Sequence, residues 1–422
     1  MKRVALTLFA AALVSLLLAA CSAAPPTVQA PPVAQTPPIV EVPPIEIGIH
    51  ASPSPMRWMA RAMAELPVYD PGSPSPWQID LRHLNVRGLN LADRLTDLLH
   101  ASFDQATVWP AQLPAKFDPV KIMELAKNPG LGVRQLQAEG VTGKGIGIAI
   151  IDQLLLTGHV EYKDQLRHYE ELVPNTTKAG AQMHGAAVAS IAVGKTVGVA
   201  TEADLYFLSP YWRQVDGQTD FAELAKAVDR VVAINRQLPK EKKIRVLSIS
   251  IGWGPTSPGY AEMEKAVDNA KKDDIFVVTS SLSRTYPGLF FHGLGRDPRM
   301  DPEAATSYGP GSWWAESYYQ TGQIVKRIEA LLIPMDSRCV ADPSGVEEYV
   351  FYSDGGWSWC TPYIAGLYAM ACEVKRDITP YSFWAAALAT GDTVTLSKDG
   401  RTYKFGKIVN PTKLIETLTK PN

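Results

Sequence analysis

Cysteine is scarce in this chain, with four among 422 residues. That excludes a disulfide-held scaffold. An excess of charge of one sign is missing too. Forty-one basic residues face 43 acidic ones, a formal charge of −2. Without a dense basic surface there is no electrostatic footprint for nucleic acid, and no nucleic-acid partner is expected. Long apolar runs are also lacking near the start. Val4 to Leu18 is apolar except for Thr7 and Ser15, and these fifteen positions fall short of the roughly 20 that a spanning helix needs. What is present is 46% hydrophobic and 20% charged residues, enough for a sizeable core. The length suits one large domain with additions.

The first additions are at the amino terminus. Met1-Lys2-Arg3 is positive, the apolar stretch follows, and small residues lead to a cysteine at Leu18-Ala19-Ala20-Cys21. This order of charged, apolar and small residues reads as an export signal over 1–20. Leu-Ala-Ala-Cys resembles the bacterial lipobox, which implies cleavage before Cys21 and lipidation of that residue. The expected localisation is therefore export and anchoring to the cell membrane through the lipid, since each buried methylene adds about 0.8 kcal/mol. Proline pairs then recur at 25–26, 31–32, 37–38 and 43–44. They favour polyproline II, so 21–56 reads as a stalk. Residues 57–130 show helical spacing at Leu89, Leu91, Leu95, Leu98 and Leu99, and again at Val120, Ile122, Met123 and Leu125. This segment reads as a small helical accessory or activation region without the residue types of a site. Trp77, Phe103 and Trp109 serve there as anchors against a neighbour.

From about 131 to 422 the texture changes. Apolar strands at 146–151, 205–208, 246–251, 275–279 and 330–334 alternate with amphipathic or small-residue helices. This pattern predicts an α/β fold, a parallel sheet with helices on both faces. Ligands in such sheets bind at the carboxyl ends of the strands. Asp152 follows the first strand, His184 opens the helix His184-Gly-Ala-Ala-Val-Ala-Ser-Ile-Ala192, and Ser358 precedes Pro362 at a helix start. The chain order Asp, His, Ser differs from two of the three familiar triad orders and agrees with the third.

Here the chain resembles the subtilisin-like serine peptidases (subtilases), over about 143–410. Thr142-Gly-Lys-Gly-Ile-Gly-Ile-Ala-Ile-Ile-Asp152 is similar to the family's first motif, and His184-Gly185 with Gly198-Val-Ala200 to the second. Ser250-Ile-Gly252 resembles the strand that pairs with substrate backbone, and Gly356-Trp-Ser358-Trp-Cys the serine motif. The resemblance implies a serine endopeptidase acting on protein or peptide substrates, with Asp152, His184 and Ser358 as a triad and no cofactor. The family's oxyanion asparagine is Ser283 here, and its Asp-Thr-Gly is Asp152-Gln153-Leu154. These departures keep open a binding or scaffold protein with weakened catalysis. The short 194–198 loop is expected to hold no calcium, and Glu161 is the alternative oxygen ligand. Histidines 50, 83, 100, 168 and 292 read as surface or core. Cys360 and Cys372, twelve residues apart on one helix, lie too far apart to pair; Cys339 could reach one of them.

Overall fold

The computed structural model describes residues 46–49, 54–56, 61–73, 75–172, 180–324 and 329–420. Compactness divides the chain into Met1–Pro43 and Pro44–Asn422, and every described residue belongs to the second unit. The expected export signal, Cys21 and the proline pairs lie outside the described residues. No helix among those described is long and apolar enough to cross a membrane.

The centre is a five-stranded, wholly parallel sheet. Its order is Phe276–Thr279, Ile244–Ile249, Gly147–Ile151, Asp204–Pro210 and Leu166–Leu172. Gly147–Ile151 is buried throughout, as expected of a strand covered on both faces. Two helix pairs cover the sheet. Phe221–Gln237 packs on Tyr260–Lys272, and Met183–Val193 on Trp357–Val374. The first two helices bury one stripe each, whereas Met183–Val193 is buried from Gly185 to Val193 because its small residues allow contact all round. This is the expected α/β fold.

Two findings differ from the sequence reading. The Leu331–Pro334 strand joins a second sheet, ordered Tyr308–Pro310, Phe291–Arg296, Leu331–Pro334, Arg401–Ile408 and Asp392–Lys398. The region before residue 130 is also less helical than its leucine spacing predicts. Among the described residues there, only Leu95–Leu99 and Pro119–Lys127 are helices, while Ile79–Asp80 and Ala101–Asp104 are strands. Those strands extend a four-stranded sheet whose other members are Tyr349–Tyr352 and Arg338–Ala341. These strands are set by pairing with distant partners, which local periodicity does not encode. Leu91 and Leu98 are still buried, in a small core that also contains Phe103, Phe117, Cys339 and Phe351. The segment thus shares one core with residues beyond 330.

Candidate active site

Asp152 lies directly after the Gly147–Ile151 strand, and its backbone N–H donates to the Leu208 carbonyl of the neighbouring strand. The residue is buried, 2% exposed. His184 is the second residue of the Met183–Val193 helix. Its Nδ1 lies 2.7 Å from Asp152 Oδ1, which also accepts from the Gln153 N–H. A carboxylate at Nδ1 selects the tautomer protonated there and leaves Nε2 as the ring's proton acceptor. Gly185 makes this approach possible. A Cβ at that position would stand 2.4 Å from the Gln153 carbonyl oxygen, so any side chain would push the helix start off the Asp152 loop. Burial disfavours the charged imidazole, but the charge and hydrogen bond of Asp152 outweigh it and hold the His184 pKa above its ordinary value.

Ser358 is the second residue of the Trp357–Val374 helix. Pro362 therefore lies in the second turn rather than the first, and this shapes the site. Proline has no N–H, so the Ser358 carbonyl four residues earlier loses its helical donor. Ser250 Oγ donates to that carbonyl at 3.0 Å and lies 2.5 Å from Thr361 Oγ1. In return, Ser358 Oγ donates to the Ser250 carbonyl at 3.1 Å. The serine hydroxyl thus rests on Ser250 and not on His184. Residues 250–254 lie beyond the Ile244–Ile249 strand and belong to no sheet ladder. Gly252 faces Ser281, whose Oγ would stand 2.1 Å from a Cβ there.

His184 and Ser358 line one cavity of about 420 Å³. Its apolar wall includes Trp77, Trp313, Trp357 and Trp359, with Met183 and Tyr352. The His184 ring meets Trp359 edge-on at 5.5 Å. Trp313 anchors through its Nε1 to the Gly355 carbonyl and meets Trp77 edge-on at 5.1 Å.

Sequence reasoning missed one wall entirely. Trp77, Asp80, Arg82 and Ser102 come from the segment thought to lack site residues. Trp77 donates its N–H to Asp354 Oδ2 and its Nε1–H to the Asp354 carbonyl. Arg82 forms a two-pronged pair with Asp80 and donates to the Tyr352 hydroxyl. No local motif marks these residues; only the anchoring role of Trp77 was legible. The oxyanion candidate is also displaced. Ser280, just past the Phe276–Thr279 strand, lines the cavity, whereas Ser283 sits in the one-turn helix Leu282–Thr285 and is not among the lining residues.

Glu161 is buried and holds the following loop together. Oε1 accepts from the Thr196 and Tyr349 hydroxyls, and Oε2 from the Thr196 and Val197 N–H groups. Both oxygens are thus used by the protein, which removes Glu161 as an open metal ligand. Cys339, Cys360 and Cys372 are buried and free, so Cys339 makes no disulfide. Burial raises the Cys360 thiol pKa well above its usual value, consistent with an apolar packing role beside Ser358. His168 and His292 are buried, as core histidines.

Residues 143–304 match the family model described as the subtilase family. The major intracellular serine protease of Bacillus subtilis (strain 168) is 26% identical over 157 residues, 35% of this chain and 46% of that protein. Subtilisin-like protease 2 of Arthroderma otae is 23% identical over 257 residues, 58% of this chain and 54% of that protein. The chain thus spans about half the length of these curated relatives. A solved structure titled "Structure of Prenylagaramide maturation protease PagA" aligns at 16% identity and a TM-score of 0.46, over 68% of this chain and 98% of that one. Residues 143–304 are thus similar to the subtilase family, within a chain whose α/β fold is built on a parallel sheet.

Proposed function

We propose that this chain is an exported, lipid-anchored serine endopeptidase that hydrolyses peptide bonds through Asp152, His184 and Ser358. The observation that carries the reading is the 2.7 Å bond between buried Asp152 and His184, in the same cavity as Ser358. In the proposed mechanism a substrate carbonyl enters beside Ser358, whose hydroxyl turns from the Ser250 carbonyl to His184 Nε2. His184 takes the proton as Oγ attacks, and Asp152 stabilises the imidazolium. The Ser358 N–H, in the first turn of its helix, has no intrahelical acceptor and is available to the developing oxyanion. A serine hydroxyl from the 280–283 turn is the second donor. His184 then protonates the leaving amine, and water hydrolyses the acyl-enzyme. The tryptophan-lined wall suits a bulky apolar side chain near the scissile bond. Leu18-Ala-Ala-Cys21 supports the anchor.

A serine-reactive fluorophosphonate tests the chemistry. It should label the parent and not Ser358→Ala, with the variant's thermal stability nearly unchanged. Labelling that survives in Ser358→Ala would mean another nucleophile. Replacing Cys21 with Ala should move the protein out of the detergent phase. A second reading is a binding protein with weakened catalysis, and the Ser358–Ser250 hydrogen bond favours it. That reading requires a parent that the probe leaves unlabelled.

A further inference from the structure

Three side chains from separate parts of the chain converge some way along the sequence from the triad. His83 lies in the turn after Ile79–Asp80, Asp104 ends the Ala101–Asp104 strand, and Asp342 follows Arg338–Ala341. Their ligand atoms all lie within 4.8 Å of one another. His83 Nε2 is 3.0 Å from Asp104 Oδ2 and 3.6 Å from Asp342 Oδ2. Both carboxylates are buried. We propose that His83, Asp104 and Asp342 bind one divalent cation of the zinc class, which joins the 61–130 segment to the Arg338–Tyr352 strand pair.

Ligand geometry supports the size of the ion. Zinc–ligand bonds of about 2.0–2.1 Å in a tetrahedron give edges of about 3.3 Å. The two edges at Nε2, 3.0 and 3.6 Å, bracket that value. Donor chemistry supports the class, because one imidazole with two carboxylates suits a borderline cation better than calcium, which takes six to eight oxygens. The ligands are also pre-aimed. Asp342 Oδ1 accepts from the Ser344 N–H at 2.8 Å, and Thr107 Oγ1 lies 3.0 Å from Asp104 Oδ1. Asp342 is thus held by Oδ1 while its Oδ2 faces the imidazole, and Asp104 is fixed through both oxygens while its Oδ2 also faces the imidazole, outer-shell contacts of the kind that orient metal ligands. The His83 backbone, at φ 55°, lies in the left-handed region and its N–H donates to both Asp104 oxygens.

The test uses the full chain carrying Ser358→Ala, stripped with chelator and titrated with Zn²⁺ alone. Calorimetry should give one zinc per chain, and saturating zinc should raise Tm by about 2–5 °C. Asp342→Asn and His83→Gln should each weaken binding at least about tenfold. His184→Ala should leave it intact, which separates this site from the Asp152–His184 pair. Co²⁺ in the stripped chain should give the strong visible bands of a tetrahedral centre, a readout that survives if a variant folds poorly. Absence of zinc binding overturns the proposal, as does binding lost with His184→Ala but kept in Asp342→Asn. Because every measurement is made without a nucleophile, failure here leaves the peptidase reading untouched.

Discussion

Asp152 and His184, which lines the central cavity, are placed by a different route from Trp77 and Arg82. The first pair stands where regular elements begin or end, one residue past a strand and two into a helix. Their positions follow from local periodicity and small residues. Trp77 lies on irregular chain at φ 53° and is held by Asp354, 277 positions away. Arg82 is held by Tyr352, 270 positions away. The comparison teaches that Asp152 and His184 sit at element ends set by local sequence, although their bond spans 32 positions, whereas Trp77 and Arg82 are placed wholly by distant partners.

The largest effect should come from the first wall. Asp152→Asn removes the charge that favours the His184 imidazolium, and turnover should fall about 10³–10⁴-fold in peptide hydrolysis. The same charge sets the pH profile. His184 must be neutral to take a proton, and its pKa is raised, so kcat/KM should rise with pH through a midpoint above the ordinary 6.5. In any residual activity of Asp152→Asn, that midpoint should move down. A limb that stays in place would mean that a different group titrates.

The second wall should break through stability. Phe103 packs against Phe351 at 4.9 Å and Trp109 at 5.4 Å between ring centres. Phe103→Ala should cost about 3–5 kcal/mol in denaturant unfolding. Loss of the 61–130 segment alone, with the remainder unfolding as the parent does, would show that the shared core does not couple them.

A smaller effect should sharpen the boundary between the walls. Ser280 faces the cavity, while the family resemblance points to Ser283. Ser280→Ala should lower turnover about 10–10²-fold with little change in KM, and Ser283→Ala by less than about threefold. The reverse order would return the oxyanion role to Ser283. Smallest of all, Trp77→Ala should raise KM about 3–10-fold for peptides with a large apolar side chain near the cleaved bond, at nearly constant kcat. Equal effects on substrates with small side chains would remove Trp77 from recognition.

Much of the region from about 131 onward was legible because its signals are local. Apolar runs mark the buried strands, and Gly185 fits the close approach that brings His184 to Asp152. Cys360 was readable as packing. The leucines at 89–99 were half right: Leu95–Leu99 form a helix, whereas Leu89 and Leu91 lie before it, and the burial of Leu91 shows that apolar spacing reports burial before backbone state. Alignment along the chain points to Ser283 and cannot see that Ser280, in the turn after Thr279, is the residue that lines the cavity.

The sequence by itself determined the alternating strands and helices, the order Asp152, His184, Ser358, and the small-residue helix behind them, since each depends on residues a few positions apart. Only the tertiary structure decided that Ser250 would hold the carbonyl freed by Pro362, that Trp77 and Arg82 would line the cavity, and that His83 would meet Asp104 and Asp342. Those contacts join residues separated by as many as 277 positions. Their energies depend on distance in space, and nothing in local periodicity or charge pattern encodes which distant partners will meet.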